Sequence, residues 1–111
     1  MKTITVPKSA GAGKLLDIDQ CPADQLEEIV LPQEQFDKLW SVGLFKEINR
    51  ICGSLIDDYE DQSISEMGAI QAVLEFVQSK QWGDDIDDSM KKIESLLVKA
   101  KEYKTSVNFY F

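Results

Sequence analysis

Hydrophobic and polar positions change their rhythm twice along this chain. In residues 2–7, KTITVP, β-branched side chains alternate and the run stops at a proline, which predicts a short strand. Residues 8–14, KSAGAGK, are small and read as a loop, with Leu15–Ile18 as a possible second strand, a turn over Asp19–Asp24, and Glu27–Leu31 as a third strand. From Pro32 the period becomes helical. Pro32 suits a first-turn position, and Phe36, Leu39 and Trp40 fall on one face before Gly43 interrupts. A longer helix is predicted from Leu44, because Phe45, Ile48, Ile51, Cys52, Leu55, Ile56 and Tyr59 continue a core-facing stripe; Gly53, off that stripe, suggests a close backbone approach.

Ser63 or Ser65 is then expected to cap another helix, with Glu66 in its first turn. Its inner face is Met67, Ile70, Val73, Leu74 and Val77, and it should end near Trp82 and Gly83. Asp84 or Asp85 is expected to cap a last helix that turns Ile86, Met90, Ile93, Leu97, Ala100 and Tyr103 inward and its lysines outward. Residues 106–111 regain alternation, and they are expected to pair with the first strand. Together these elements predict a predominantly helical α+β fold. It would be a bundle of three to four helices with a small antiparallel β element from the two termini. One domain spans 1–111, with a β and loop part at 1–31, a helical core at 32–104 and a C-terminal strand at 105–111.

Charge sharpens this picture. The 111 residues carry 20 acids, 12 bases and no histidine, for a net charge of −8. Such a balance disfavours nucleic acid and anionic membranes as partners and favours a basic protein or a cation. Between residues 47 and 88 there are eleven acids against only Arg50 and Lys80, so the imbalance lies in the middle of the chain. No apolar run is long enough for a signal peptide or a membrane span, which predicts a cytoplasmic protein. Cys21 and Cys52 are far apart in sequence and lack histidine neighbours, so reduced thiols are expected and zinc is not.

Little of the remaining chemistry is catalytic. Gly11-Ala12-Gly13-Lys14 has the ending of a phosphate-binding loop, but Lys8 and Leu15 stand where that loop needs glycine and Ser/Thr. Without histidine, no Ser-His or Cys-His pair can form. That leaves two carboxylate patches. Asp84, Asp85, Asp87 and Asp88 open a predicted helix, where acids satisfy exposed N–H groups and the dipole, each for about 0.3–1 kcal/mol. Asp57, Asp58, Glu60 and Asp61 fall at the end of the predicted long helix, against the dipole and without a base within one turn. The cost there would be about 1–2 kcal/mol, the kind of local violation expected at functional sites.

Three uses compete for those acids. They could dock a basic protein, with Trp82 and Tyr59 as aromatic anchors. They could hold magnesium, as in all-helical nucleotide pyrophosphohydrolases, if Asp57, Asp58 and Asp61 faced Glu66 or Glu75 on a second helix. Or the chain could be an assembly or regulatory subunit. The segments Gly43–Asn49 and Gly53–Glu60 resemble a pattern found in small bacterial proteins. In size and charge the chain is similar to immunity proteins of contact-dependent inhibition and related polymorphic toxin systems. The resemblance favours the docking use, and the expectation is a non-enzymatic protein without cofactor or metal, one that masks the active site of a basic toxin, with a nuclease as the expected target. The expected partner-binding residues are Asp57, Asp58, Glu60, Asp61, Asp84, Asp85 and Trp82.

Overall fold

The computed structural model describes residues 2–57 and 61–111. Among them are four strands, β1 (Lys2–Pro7), β2 (Leu26–Leu31), β3 (Asp61–Ile64) and β4 (Val107–Tyr110). Five helices accompany them: α1 (Ala10–Asp17), α2 (Gln33–Ser41), α3 (Leu44–Cys52), α4 (Met67–Gln78) and α5 (Asp87–Tyr103). The α+β class agrees with the sequence pattern. The three- to four-helix bundle gives way to five helices arranged around an antiparallel sheet of order β2-β1-β4-β3. The two terminal strands do pair, with Ile4 opposite Phe109. They form the centre of the sheet, flanked by strands from the interior of the chain.

Strand alternation gives the sheet two unlike faces. Ile4, Val6, Leu31, Ile64, Val107 and Phe109 share the inner face and are all buried. Against them lie α5, through Met90, Ile93, Leu97 and Ala100 with Ile86 just before it, and an aromatic cluster from α2 and α3. At its centre, the fully buried Phe45 ring meets Phe36 at 5.4 Å, Trp40 at 5.7 Å and Phe111 at 5.2 Å between centroids. Thr3, Thr5, Glu28, Val30, Asp61, Ser63, Asn108 and Tyr110 share the outer face.

Helix α1 lies against that outer face, where a loop and a strand were expected. Ser9 starts it by accepting the Ala12 N–H at 3.0 Å. Gly11 and Gly13 are poor helix formers, at about 1 kcal/mol each relative to alanine, so no local signal marked this helix. Its anchor is burial instead: Ala12 is 1% exposed, and beneath the helical layer Thr5 and Asn108 are buried. Both polar side chains are satisfied, Thr5 by donating to Glu28 and Asn108 by donating to the Thr5 carbonyl.

The most consequential difference concerns α3. Its apolar stripe was expected to run to Tyr59, but the helix ends at Cys52, where Gly53 adopts a left-handed conformation (φ 63°). Gly53 is therefore a helix terminator, with open space where a side chain would stand, and marks no close backbone approach. Asn49 then secures the departing chain: its side-chain oxygen accepts from Ser54 Oγ and the Ile56 N–H, and its amide donates to the Ile56 carbonyl. Ile56 is thereby buried without helix, which explains how it could match a helical stripe.

Capping also departs from expectation at α4 and α5. Glu66 itself caps α4, accepting from Gly68 N and Ala69 N, while Ser63 lies in β3. Helix α4 stops at Gln78, short of Trp82, because the segment after it folds back. Neither Asp84 nor Asp85 caps α5; Ile86 occupies that position, with Asp87 and Asp88 in the first turn.

Candidate functional site: an acidic groove on the outer face

Where the C-terminal end of α1 crosses β3 and β4, it leaves a groove of about 390 Å³ lined by Leu16, Asp17, Asp19, Asp61, Gln62, Ser63, Asn108 and Tyr110. Two elements supply the acids. Asp61 opens β3 directly opposite Tyr110 in the sheet register. Asp17 ends α1, and Asp19 follows in the left-handed region (φ 56°), donating its N–H to the Leu16 carbonyl. All three carboxylates are exposed. None has a cationic partner among the described residues. Glu28, across the outer face on β2, is held in place by the Thr5 hydroxyl at 2.9 Å.

Tyr110 senses this field. Burial first, and then Asp61, Asp19, Asp17 and Glu28, push its phenol above the ordinary tyrosine value. Because the folded value is raised, the associated stability is complete below the ordinary tyrosine range and is lost as pH rises through the folded value. Asp61 is the largest of the charge contributions, so Asp61→Asn is expected to lower the Tyr110 titration midpoint, followed through its ring NMR signals. An unchanged midpoint would contradict the proximity of these two groups.

Asp17 and Asp19 also stand at the negative end of a helix dipole, which costs stability by a few tenths of a kcal/mol each. Asp19 bears the further strain of a left-handed backbone, about 1 kcal/mol for a non-glycine residue. Asp19→Gly is therefore expected to stabilise the fold by up to about 1 kcal/mol in urea denaturation. A loss of stability would show that the Asp19 carboxylate makes a structural contact.

The residues singled out from sequence are scattered. Asp61 lines the acidic groove, whereas Asp57 lines separate shallow grooves beside Trp40. Asp58 and Glu60, with Tyr59, lie outside the described residues. Their supposed setting is corrected: Asp57 follows a loop and Asp61 begins a strand, so neither opposes the α3 dipole, whose last turn carries Arg50. The one-turn helical spacing needed to hold magnesium with Asp57 and Asp61 is not formed either. Among the described residues, no cluster of three or more metal-ligating side chains occurs.

The second patch is largely compensated. Asp85 lies 3.8 Å from Lys38, Asp87 pairs with Lys91 at 2.9 Å, and Asp88 pairs with Lys92 at 3.2 Å. Such exposed pairs add little stability, but they cancel charge where a partner would read it. Asp84 and Trp82 line a groove of mixed charge with Lys80 and Lys91. Trp82 is half-buried against Phe76, donates its indole N–H to the Val77 carbonyl at 2.9 Å and carries Lys80 over its ring. Sequence reasoning missed Asp17, Asp19, Glu28 and Tyr110, because two of these acids were placed in a supposed turn and strand outside the acidic middle of the chain.

The whole chain is similar in fold to the Neisseria DNA mimic protein DMP12. The likeness has a TM-score of 0.69 at 18% sequence identity and covers 100% of both chains. At that identity it establishes a shared architecture. No protein-family model matches the chain, and no curated protein does. Among the described residues, no helix is long and apolar enough to cross a membrane.

Proposed function

We propose that this chain is a binding protein, not an enzyme, which presents carboxylates to the nucleic-acid-binding surface of a basic protein. One observation carries the reading: Asp17, Asp19 and Asp61 line one groove with no cationic partner among the described residues, while the acids of the Asp84–Asp88 patch are mostly paired. A surface built to recognise phosphates supplies the missing cations, and it gains steering from the net charge of −8. The fold likeness to a DNA mimic protein supports this choice over the magnesium enzyme and the assembly subunit. The acids are also spread: Glu28 and Asp61 stand on opposite edges of the sheet, three strand spacings across and two residues along, roughly 16 Å apart.

In this reading the chain binds no nucleic acid itself; it replaces it. The test is release of nucleic-acid-binding proteins from a duplex-DNA resin by the purified chain. Release by the wild type and none by a variant lacking Asp17, Asp19 and Asp61 supports the proposal, and equal release by both contradicts it. The narrower immunity reading, with a cytoplasmic chain masking a nuclease toxin, requires that a released protein carry nuclease activity inhibited on rebinding.

A further inference from the structure

The two edges of the sheet are finished differently. At β3 the exposed strand is only four residues long, and its Gln62 side chain is engaged by the Leu55 N–H. At β2 the edge is six residues long. Its hydrogen-bonding phase follows from two contacts. Lys8 N donates to the Gln25 carbonyl at 3.0 Å, extending the register that pairs Pro7 with Leu26 through Lys2 with Leu31. Alternation in an antiparallel ladder then turns Glu27, Ile29 and Leu31 toward β1, and Leu26, Glu28 and Val30 away from it. The Leu26 N–H agrees, since it donates outward to the Ala23 carbonyl.

Glu28 and Val30 therefore hold outward backbone N–H and C=O groups that no described residue pairs. Natural edges are commonly blunted by charged side chains, proline or a bulge. Here the register is unbroken and the protection is acidic charge alone, from Glu27 and Glu28, which repels a second acidic chain and admits a basic one. Val30 is 49% exposed, and the Glu28 carboxylate beside it is exposed and fixed by Thr5.

We propose that β2 accepts an extended basic segment of the partner as a fifth strand. Backbone bonds from Glu28 and Val30 would hold it. Because both side chains point to the outer face, one face of the incoming strand meets them both. A lysine or arginine there is favoured beside Glu28, and an apolar residue beside Val30. Charge selects this occupant over a second copy of the chain, which would bring another net charge of −8 and a second Glu28 to the same edge. The inference rests on the reading that the partner is basic.

The probe is a peptide of roughly ten residues repeating lysine-threonine-valine-threonine, which puts lysine and valine next to each other on one face and is long enough to span a strand. Its control is the same peptide N-methylated on the amides that would face β2. Amide hydrogen exchange of Glu28 and Val30 is expected to slow by at least about tenfold with the first peptide and to stay unchanged with the second. No protection at either amide would overturn strand addition. If the peptide instead shifted only signals near Asp61 and Tyr110, strand addition would fail while the acidic binding reading survived. Concentration-dependent protection of both amides in the protein alone would assign the edge to a second copy and equally overturn the proposal.

Discussion

Replacing Asp17, Asp19 and Asp61 together by asparagine is expected to slow association with a basic nucleic-acid-binding partner by about tenfold to a hundredfold at low salt. Two effects combine. Removing three charges weakens long-range steering, and removing them from one groove leaves the partner's cations unmatched on contact. A second triple variant separates these contributions: Asp84→Asn, Asp85→Asn and Asp88→Asn removes the same three charges from the net −8 but leaves the groove intact. Association kinetics at two salt concentrations should show the second variant within a few-fold of wild type, since Asp85 and Asp88 already have lysine partners. Equal slowing by the two variants would mean that bulk charge, and not this groove, governs binding.

The other large effect concerns the fold that positions the groove. Phe45→Ala is expected to cost about 3–5 kcal/mol, a large part of the roughly 5–15 kcal/mol available to a typical domain. Phe45 has no exposed surface and joins Phe36 and Trp40 of α2 to Phe109 and Phe111 at the end of β4. Its loss leaves a cavity between the helical layer and the strand that carries Tyr110. Urea denaturation measures the cost. Leu55→Ala is the internal contrast, expected to change stability by less than about 0.5 kcal/mol because Leu55 is 73% exposed. A similar small effect for Phe45→Ala would refute the aromatic cluster as the fold's anchor.

What was legible in the sequence follows the range of the forces involved. Strands β1, β2 and β4 announced themselves by β-branched or aromatic residues, and the inward faces of α4 and α5 by apolar spacing. Signals that compete with a tertiary contact were misread. Ile56 continued the period of α3, yet Gly53 ends that helix and Asn49 holds the following loop in place. Helix α1 has the opposite character: two glycines argue against it, and burial of Ala12 with the Ser9 cap makes it form.

This exchange of boundaries moved the site. Acids at the wrong end of a helix were sought near Asp57–Asp61, after a helix that stops earlier. The arrangement exists at α1, where Asp17 and Asp19 face the negative end of the dipole and Asp19 adds a left-handed backbone. Only Asp61 joins the two. It reaches the groove through strand register, a pairing between β3 and β4 that no local pattern reveals.

The central claim is occupation of a surface that otherwise holds nucleic acid, and competition tests it most directly. A partner released from duplex-DNA resin should bind this chain with an apparent Kd that rises in proportion to added duplex DNA, at fixed ionic strength. That result is the one predicted. A ternary complex of partner, DNA and this chain, with the apparent Kd unmoved by DNA, would contradict it.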